Sequence, residues 1–284
     1  MALGRVGVWS TGLRSEDPGA RDQIVDASAE LEELGYGAIW LGGSPGVEHA
    51  LPILEFTSRI VVATGILNIW AHDAGTVARQ HAEVTAAYPG RFLLGLGVSH
   101  SAMVADYRRP YSAMVKYLDD LDAAVPPVPR NERVLAALGP RMLELARDRA
   151  LGAHPYLVTP DFTAHAREIL GKGPLLAPEV KVVPEVDPAR ARARARAHLA
   201  IYLQMQNYTS NLLRLGFTED DLLDGGSDRL IDATFAWGDL ETIRKRIIAF
   251  HDAGADHVAV QVVTEGRLDL PRREWRELAE VLGL

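Results

Sequence analysis

The sequence contains no cysteine, which excludes disulfides, thiolate metal ligands and a cysteine nucleophile together. That composition fits a reducing cytosol, and a cytoplasmic location is expected. No uninterrupted run reaches the ~18 apolar residues that a membrane-spanning helix needs. Met1 to Trp9 lacks a basic stretch followed by a long apolar one, so no secretory signal is expected. Positive charge is in deficit. With 30 Lys and Arg against 38 Asp and Glu, the net charge of −8 gives no general attraction to nucleic acid or to an anionic membrane. Neither is expected as a partner; a small molecule is.

What is present is an alternation of short β-branched runs with longer helical patterns. Arg5 to Trp9 (RVGVW), Ala38 to Leu41 (AIWL), Arg59 to Ile66 (RIVVATGI) and Arg91 to Leu96 (RFLLGL) read as the first four strands. Between the first two, Ile24, Ala27, Leu31 and Leu34 recur at helical spacing before Gly35. Before the fourth, Val77, His81, Val84 and Tyr88 mark another helix, closed by Pro89 and Gly90. Val134 to Leu138, Ala153 to Val158, Val180 to Val183 and His257 to Val263 (HVAVQVV) supply strands five to eight. Helices are expected from Pro140, over residues 160–170, through Leu240 to Phe250, and from Arg272 to Leu282. Crossovers of a dozen residues or more imply a parallel sheet. At 284 residues a closed α/β (β/α)8 TIM barrel is the expected fold, with residues 1–284 as one domain. An open doubly wound sheet is the runner-up. Residues 184–238 exceed a plain barrel and read as a helical insertion between strands seven and eight. Arg190, Arg192, Arg194 and Arg196 fall there, on a helix whose other face carries Ala191, Ala195, Leu199 and Tyr202. A solvated basic face is expected rather than a nucleic-acid site.

Barrels place reactive groups at the C-terminal ends of their strands. Those ends hold Gly42, Gly43 and Ser44; then Gly65, Ile66, Asn68, Trp70, His72 and Asp73; then Val98, Ser99 and His100. Gly139, Pro140 and Arg141 follow, then His154 and Tyr156, and finally Gln261. Three of these are histidines, yet no His-x-His follows strand one and no HExxH occurs, so no catalytic metal is expected. Ala137, Leu138, Gly139, Pro140 and Arg141 form a small turn leading into a helix. Such a turn either offers backbone N–H groups and an arginine to an anion or is an ordinary strand-to-helix connection. The loop from Asn68 to Ala74 suits either a flat conjugated ligand or plain packing.

The segment Thr64 to His100, TGILNIWAHDAGTVARQHAEVTAAYPGRFLLGLGVSH, resembles the strand three–helix–strand four signature of the luciferase-like monooxygenase family, and in particular its deazaflavin (coenzyme F420)-dependent oxidoreductases. LGYGAIWLGGSPG, AALGPRMLELA, NYTSNLLRLGF and AGADHVAVQVV extend the likeness over nearly the whole chain. The resemblance implies a barrel with an insertion before the last strand, and often a homodimer. It implies a backbone bulge with a cis non-proline bond at Gly65-Ile66 behind a tricyclic ring, with Asn68, Val98, Ser99 and His154 among the cofactor contacts. Ala137 to Arg141 would hold the cofactor phosphate. Sugar-phosphate dehydrogenases of the family carry an Asp-His pair after strand two and a Glu after strand four. Here Gly42-Gly43 and His100 stand in those places, which puts sugar-phosphate oxidation in doubt. His100, titrating near neutrality, is the expected proton-handling residue. Trp9, Trp70 and Tyr208 would line the substrate pocket. The expected activity is hydride transfer between F420 and an activated double bond, a carbonyl or an alcohol. The alternatives are an FMN-dependent two-component monooxygenase, or a deazaflavin-binding protein with little turnover.

Overall fold

The computed structural model describes residues 3–14, 17–100 and 107–284. The sheet runs through β1 (Val6–Ser10), β2 (Ala38–Leu41), β3 (Val61–Thr64), β5 (Phe92–Gly97), β6 (Arg133–Leu135) and β7 (Gly152–Ala153), each parallel to the next. Nearly continuous apolar runs such as VGVW and AIWL suit strands that are covered on both faces. A short β4 (Leu67–Asn68) rejoins β5 after a break in the third strand.

The seventh strand closes the barrel by being broken. Its first piece, β8 (Leu175–Leu176), pairs with β7. Its second, β9 (Glu179–Val183), pairs with β11 (Val258–Val262), which returns to β1. The hinge is Ala177-Pro178: Ala177 N–H donates to Ala153 O at 2.9 Å, and Pro178 O accepts from Ala259 N–H at 2.9 Å. The result is the α/β TIM barrel that the alternation of strands and helices predicts, not the open sheet.

The helices surround it. They are α1 (Arg21–Glu33), α2 (Leu51–Phe56), α3 (Ala74–Ala87), α4 (Pro110–Ala123), α5 (Pro140–Arg149), α6 (Pro160–Leu170), α10 (Leu240–Asp252) and α11 (Arg272–Leu282). Several begin on side-chain caps that satisfy otherwise free N–H groups: Asp73 receives Thr76 N–H, Thr159 receives Phe162 N–H and Asp239 receives Thr242 N–H. Residues 184–238 form α7 (Pro188–Leu199), α8 (Gln206–Arg214) and α9 (Asp228–Thr234), which pack around their own apolar cluster. They end in a strand that helical periodicity did not reveal, β10 (Phe235–Trp237), paired with β9. The arginine-rich face of α7 is engaged within the chain: Arg190 binds Glu185, Arg192 binds Asp228 and Asp232, and Arg196 binds Asp228.

The barrel interior is packed rather than hollow. Trp40 fills its lower half, stacked on His154 with ring centroids 4.1 Å apart and donating its indole N–H to His257 Nε2 at 3.0 Å. Ala38, Ala63, Val61, Leu93, Val134 and Ala259 surround them. Several strands are shorter than expected, the third ending at Thr64 and the eighth spanning Val258–Val262. The sixth, read as Ala153 to Val158, stops at Ala153, because Pro155 lacks an N–H and Leu157 adopts a left-handed backbone, φ 56°. The fifth spans Arg133–Leu135 rather than reaching Leu138. Among the described residues no helix is long and apolar enough to cross a membrane.

Candidate functional site

The third strand stops at Thr64, whose hydroxyl donates to Gly95 O and accepts from Gly95 N–H, both at 2.8 Å. The next peptide, Gly65-Ile66, is cis, where the resemblance places such a bond. Beyond it the Ile66 side chain lies across Gly97, where an added Cβ would sit 2.3 Å from Ile66 Cδ1; only glycine lets the bulge rest on the fourth strand. Trp70 donates its indole N–H to Val98 O at 2.7 Å, and Asn68 Oδ1 accepts Trp70 N–H at 3.1 Å. These bonds tie Asn68 to the ledge of Val98 and Ser99. Asp73, which stood beside His72 in the sequence, caps α3 instead.

His100 leaves this ledge to meet the insertion. Its Nδ1 lies 2.7 Å from Asn207 Oδ1 and its ring 5.0 Å from that of Tyr208. Burial lowers its pKa from the ordinary imidazole value, opposed by the Asn207 hydrogen bond. Because Asn207 Oδ1 can only accept, Nδ1 carries the proton and Nε2 is the basic nitrogen.

The fifth strand ends alongside. Ala136 N–H donates to Leu96 O at 2.8 Å, so the turn Ala137, Leu138, Gly139, Pro140, Arg141 follows on the same rim. Gly139 is extended, its side has no cap, and a Cβ built on it would meet nothing within 4 Å. Pro140 and Arg141 are exposed, with the Arg141 guanidinium 4.1 Å above the Tyr111 ring. An open turn at a helix start with a stacked arginine beside it fits a phosphate. His154 is placed differently from its neighbours in sequence. It is 1% exposed inside the barrel, with Nδ1 2.6 Å from Ala177 O, and it reaches no surface from which it could touch a ligand at the mouth.

Aromatic rings gather beside the turn, whose Leu138 packs in the same apolar cluster. Trp9 stands 5.3 Å from Tyr156, Tyr156 5.4 Å from Tyr202, and Tyr202 5.4 Å from Tyr208. The Trp9 indole also occupies the space over Gly42, where a Cβ would come within 2.4 Å of Cη2. No side chain fits at Gly42 while the Trp9 ring lies over it. Trp70 lies on the strand-four side, 5.9 Å from Tyr107.

Beneath the aromatics lies a pair that sequence reasoning missed. Glu179 and Lys181, both 1% exposed, meet at 2.7 Å, and Lys181 Nζ sits 3.5 Å over the Tyr156 ring. Burial pushes the Glu179 pKa up and that of Lys181 down, each opposed by the other's charge. The signal available was the alternation EVKVV, which puts residues 179 and 181 on one face of the strand. Tyr202 stood in the sequence only on the apolar face of the arginine-rich helix, and His198 beside it belongs to no motif. Among the described residues no three His, Asp or Glu side chains gather as metal ligands would.

The chain resembles several solved structures over nearly its full length. It is 14% identical to an F420-dependent secondary alcohol dehydrogenase solved with an F420-acetone adduct, covering 98% of each chain with a TM-score of 0.74. It is 14% identical to the coenzyme F420-dependent tetrahydromethanopterin reductase of Methanopyrus kandleri, covering 99% of each, with a TM-score of 0.72. It is 13% identical to the oxygenating constituent of 3,6-diketocamphane monooxygenase from Pseudomonas putida in complex with FMN. There it covers 97% of this chain and 95% of that one, with a TM-score of 0.70. At such identities the likeness speaks for the fold. No curated protein sequence matches. The luciferase-like monooxygenase pattern matches residues 1–124 and 106–257, and with so much of its length covered the chain belongs to that family.

Proposed function

We propose that the chain is an F420-dependent oxidoreductase, a single luciferase-like barrel domain that moves a hydride between the deazaflavin and a small carbonyl compound, alcohol or activated double bond. The observation that carries the reading is the ledge of Asn68, Val98 and Ser99, which shares a rim with the open turn from Ala137 to Arg141. The first suits the back of a flat ring and the second its phosphate. Two of the similar structures are F420-dependent enzymes.

When bound, the deazaflavin supplies or accepts the hydride. Gly65 and Ile66 would support the ring, with Asn68, Val98 and Ser99 along its edge. Ala137, Leu138, Gly139, Pro140 and Arg141 would hold the phosphate by backbone N–H groups and the guanidinium. His154 drops out of this contact set because of its burial. His100, neutral and fixed by Asn207 through Nδ1, would present Nε2 as the proton-handling group. Trp9, Trp70 and Tyr208 would exclude water from the ring.

A second reading, an FMN-dependent monooxygenase, is favoured by the FMN bound in the diketocamphane enzyme of the same fold. Titrating the purified protein with F420 and with FMN, followed by fluorescence, separates the two. Saturable micromolar binding of F420 with weak or no binding of FMN is expected (about −8 kcal/mol). Preference for FMN moves the chain to the monooxygenases, and binding of neither overturns both readings. Tight F420 binding with no reaction on ketones, enones or alcohols would make it a cofactor-binding protein.

A further inference from the structure

A cavity of about 50 Å³ lies between the ends of β1 and β11, under α7 and α11, lined by Trp9, Ser10, His198, Gln261, Arg267 and Trp275. It offers several times the ~10–15 Å³ that one water requires, which is room for a group of a few heavy atoms. We propose that this cavity is a binding site for a small free carboxylate of about acetate size. Arg267 would hold its charge, and buried donors its oxygens. The proposal does not depend on which cofactor the barrel takes.

What carries it is an excess of donors without acceptors. Trp275 is 2% exposed, and its indole N–H is sealed from solvent with no partner. Ser10 is buried as well. Its Oγ accepts Gly12 N–H at 3.1 Å and Leu13 N–H at 3.3 Å, which leaves its own proton without an acceptor among the described residues. Gln261 Oε1 accepts the Tyr156 hydroxyl at 2.9 Å, and among the described residues nothing accepts from its amide N–H groups. His198 adds a fourth donor. Its Nε2 is sealed from solvent without a partner. Burial first, then the charges of Lys181 and Arg267, push its pKa down to about 3, so the ring is neutral and can carry its one proton on Nε2. A water accepts two hydrogen bonds and then has two protons of its own to place. A carboxylate accepts about four and brings none.

Charge points the same way. Arg267 is exposed at the rim and has no carboxylate partner among the described residues, and its charge is felt at both His198 and Tyr202. A carboxylate taken out of water is costly unless a cation accompanies it, and Arg267 offsets that cost. Asp269 stands at the same rim, but it is exposed, so water and salt screen its repulsion, and its Oδ2 accepts Gly266 N–H at 2.8 Å. The Trp9 indole stands between this cavity and the bulge, with its N–H committed to Gly65 O at 3.0 Å. The carboxylate is therefore a ligand in its own right and not the reacting end of a substrate.

The test follows the Trp275 indole N–H by NMR in full-length, cofactor-free protein carrying isotope-labelled tryptophan, the resonance being identified by its loss in Trp275→Phe. Sodium acetate replaces sodium chloride at constant ionic strength and neutral pH, and acetamide serves as the uncharged counterpart. Acetate is expected to shift the Trp275 resonance saturably with a millimolar Kd, the range open to so small a ligand. Acetamide, which lacks the charge and brings protons of its own, is expected to bind at least about tenfold more weakly. Arg267→Gln removes only an exposed side chain, so the fold is expected to stay intact while acetate weakens about fivefold to tenfold. An unmoved Trp275 resonance, equal binding of acetamide, or parent-like acetate affinity in Arg267→Gln each overturns the proposal, and the first would leave the cavity to water. None of these results bears on the cofactor titration, which stands or falls separately.

Discussion

Trp9 donates its indole N–H to the carbonyl oxygen of Gly65 at 3.0 Å, joining the end of the first barrel strand to the cis peptide at the end of the third. The bond is buried, and the same ring covers Gly42 and faces Tyr156. One side chain thus bonds the bulge and fills the space over Gly42. Trp9→Phe keeps most of the ring volume but orphans Gly65 O. Loss of a buried hydrogen bond and part of a ring is expected to cost about 2 kcal/mol of stability. Deazaflavin affinity is expected to fall about tenfold as the bulge loosens. Urea unfolding and a cofactor titration on the same preparation read both; parent-like affinity in a destabilised protein would separate the bulge from binding.

Gly42 tests whether the end of the second strand can accept a carboxylate. An aspartate there would drive its Cβ to within 2.4 Å of Trp9 Cη2. Overpacking of this kind costs about 1–3 kcal/mol even before the buried charge is counted. Gly42→Asp is therefore expected to destabilise the fold and to yield no sugar-phosphate oxidation. Trp9→Ala is itself expected to cost about 3–5 kcal/mol, but in that background, where the space is cleared, adding Gly42→Asp is expected to cost less than it does beside Trp9. Thermal melts of the parent, both single variants and the double variant check this, and an equal cost of the aspartate in either background would refute the steric account.

Much of the fold was legible because covered parallel strands must be apolar on both faces, so runs such as AIWL and HVAVQVV stand out between helices stopped by Gly35 and Gly90. What escaped has physical reasons. The seventh strand is broken at Ala177-Pro178, and its short first piece carries no periodicity. β10 is three residues long and follows a helix directly, so Phe235 to Trp237 carries too little alternation to mark a strand inside the helical insertion. The bulge was read through resemblance alone, since the pair Gly-Ile carries no local mark of a cis bond. His154 was placed at the mouth by counting residues. Pro155 and the left-handed Leu157 end the strand early and leave the imidazole inside. Lys181 was passed over because a lysine in a strand ordinarily points to water, and only its partner Glu179 makes burial tolerable.

The turn before α5 offers a sharper test of phosphate binding than activity does. Arg141 is exposed and held over Tyr111, without a carboxylate partner among the described residues. Removing it should leave the fold unchanged, because it buries no apolar surface of consequence. Arg141→Ala is expected to weaken F420 about tenfold, near the value of one exposed charge-assisted hydrogen bond. The deazaflavin chromophore lacking its phosphate should bind parent and variant alike. The salt dependence of F420 binding should also become shallower in the variant. Equal loss for both ligands would place Arg141 against the ring instead of the phosphate.

His154 and His257 contribute, together with the buried His81 and His198, to the acid limit of the fold. Both are fully buried, and burial pushes each pKa from 6.5 down to about 4. His257 is committed as neutral: Nε2 accepts the Trp40 indole N–H at 3.0 Å, and Nδ1 donates to Gly4 O at 2.9 Å. Protonation would aim two N–H groups at each other. Since the folded pKa lies below the unfolded one, the unfolded chain takes up the protons first as pH falls. Stability is therefore at its full value above about pH 6.5 and is lost between about 6.5 and 4. Each histidine contributes at most about 1.4 kcal/mol per pH unit over that window. Urea midpoints are expected to be level from pH 8 to 7 and to drop steeply from 6.5 to 5. His257→Gln, whose amide oxygen still accepts from Trp40, is expected to start less stable but to show a slope shallower by about one proton. An unchanged slope in that variant would mean that His257 stays neutral in the unfolded chain as well, or that the acid transition belongs to other groups, and either result would remove it from the account.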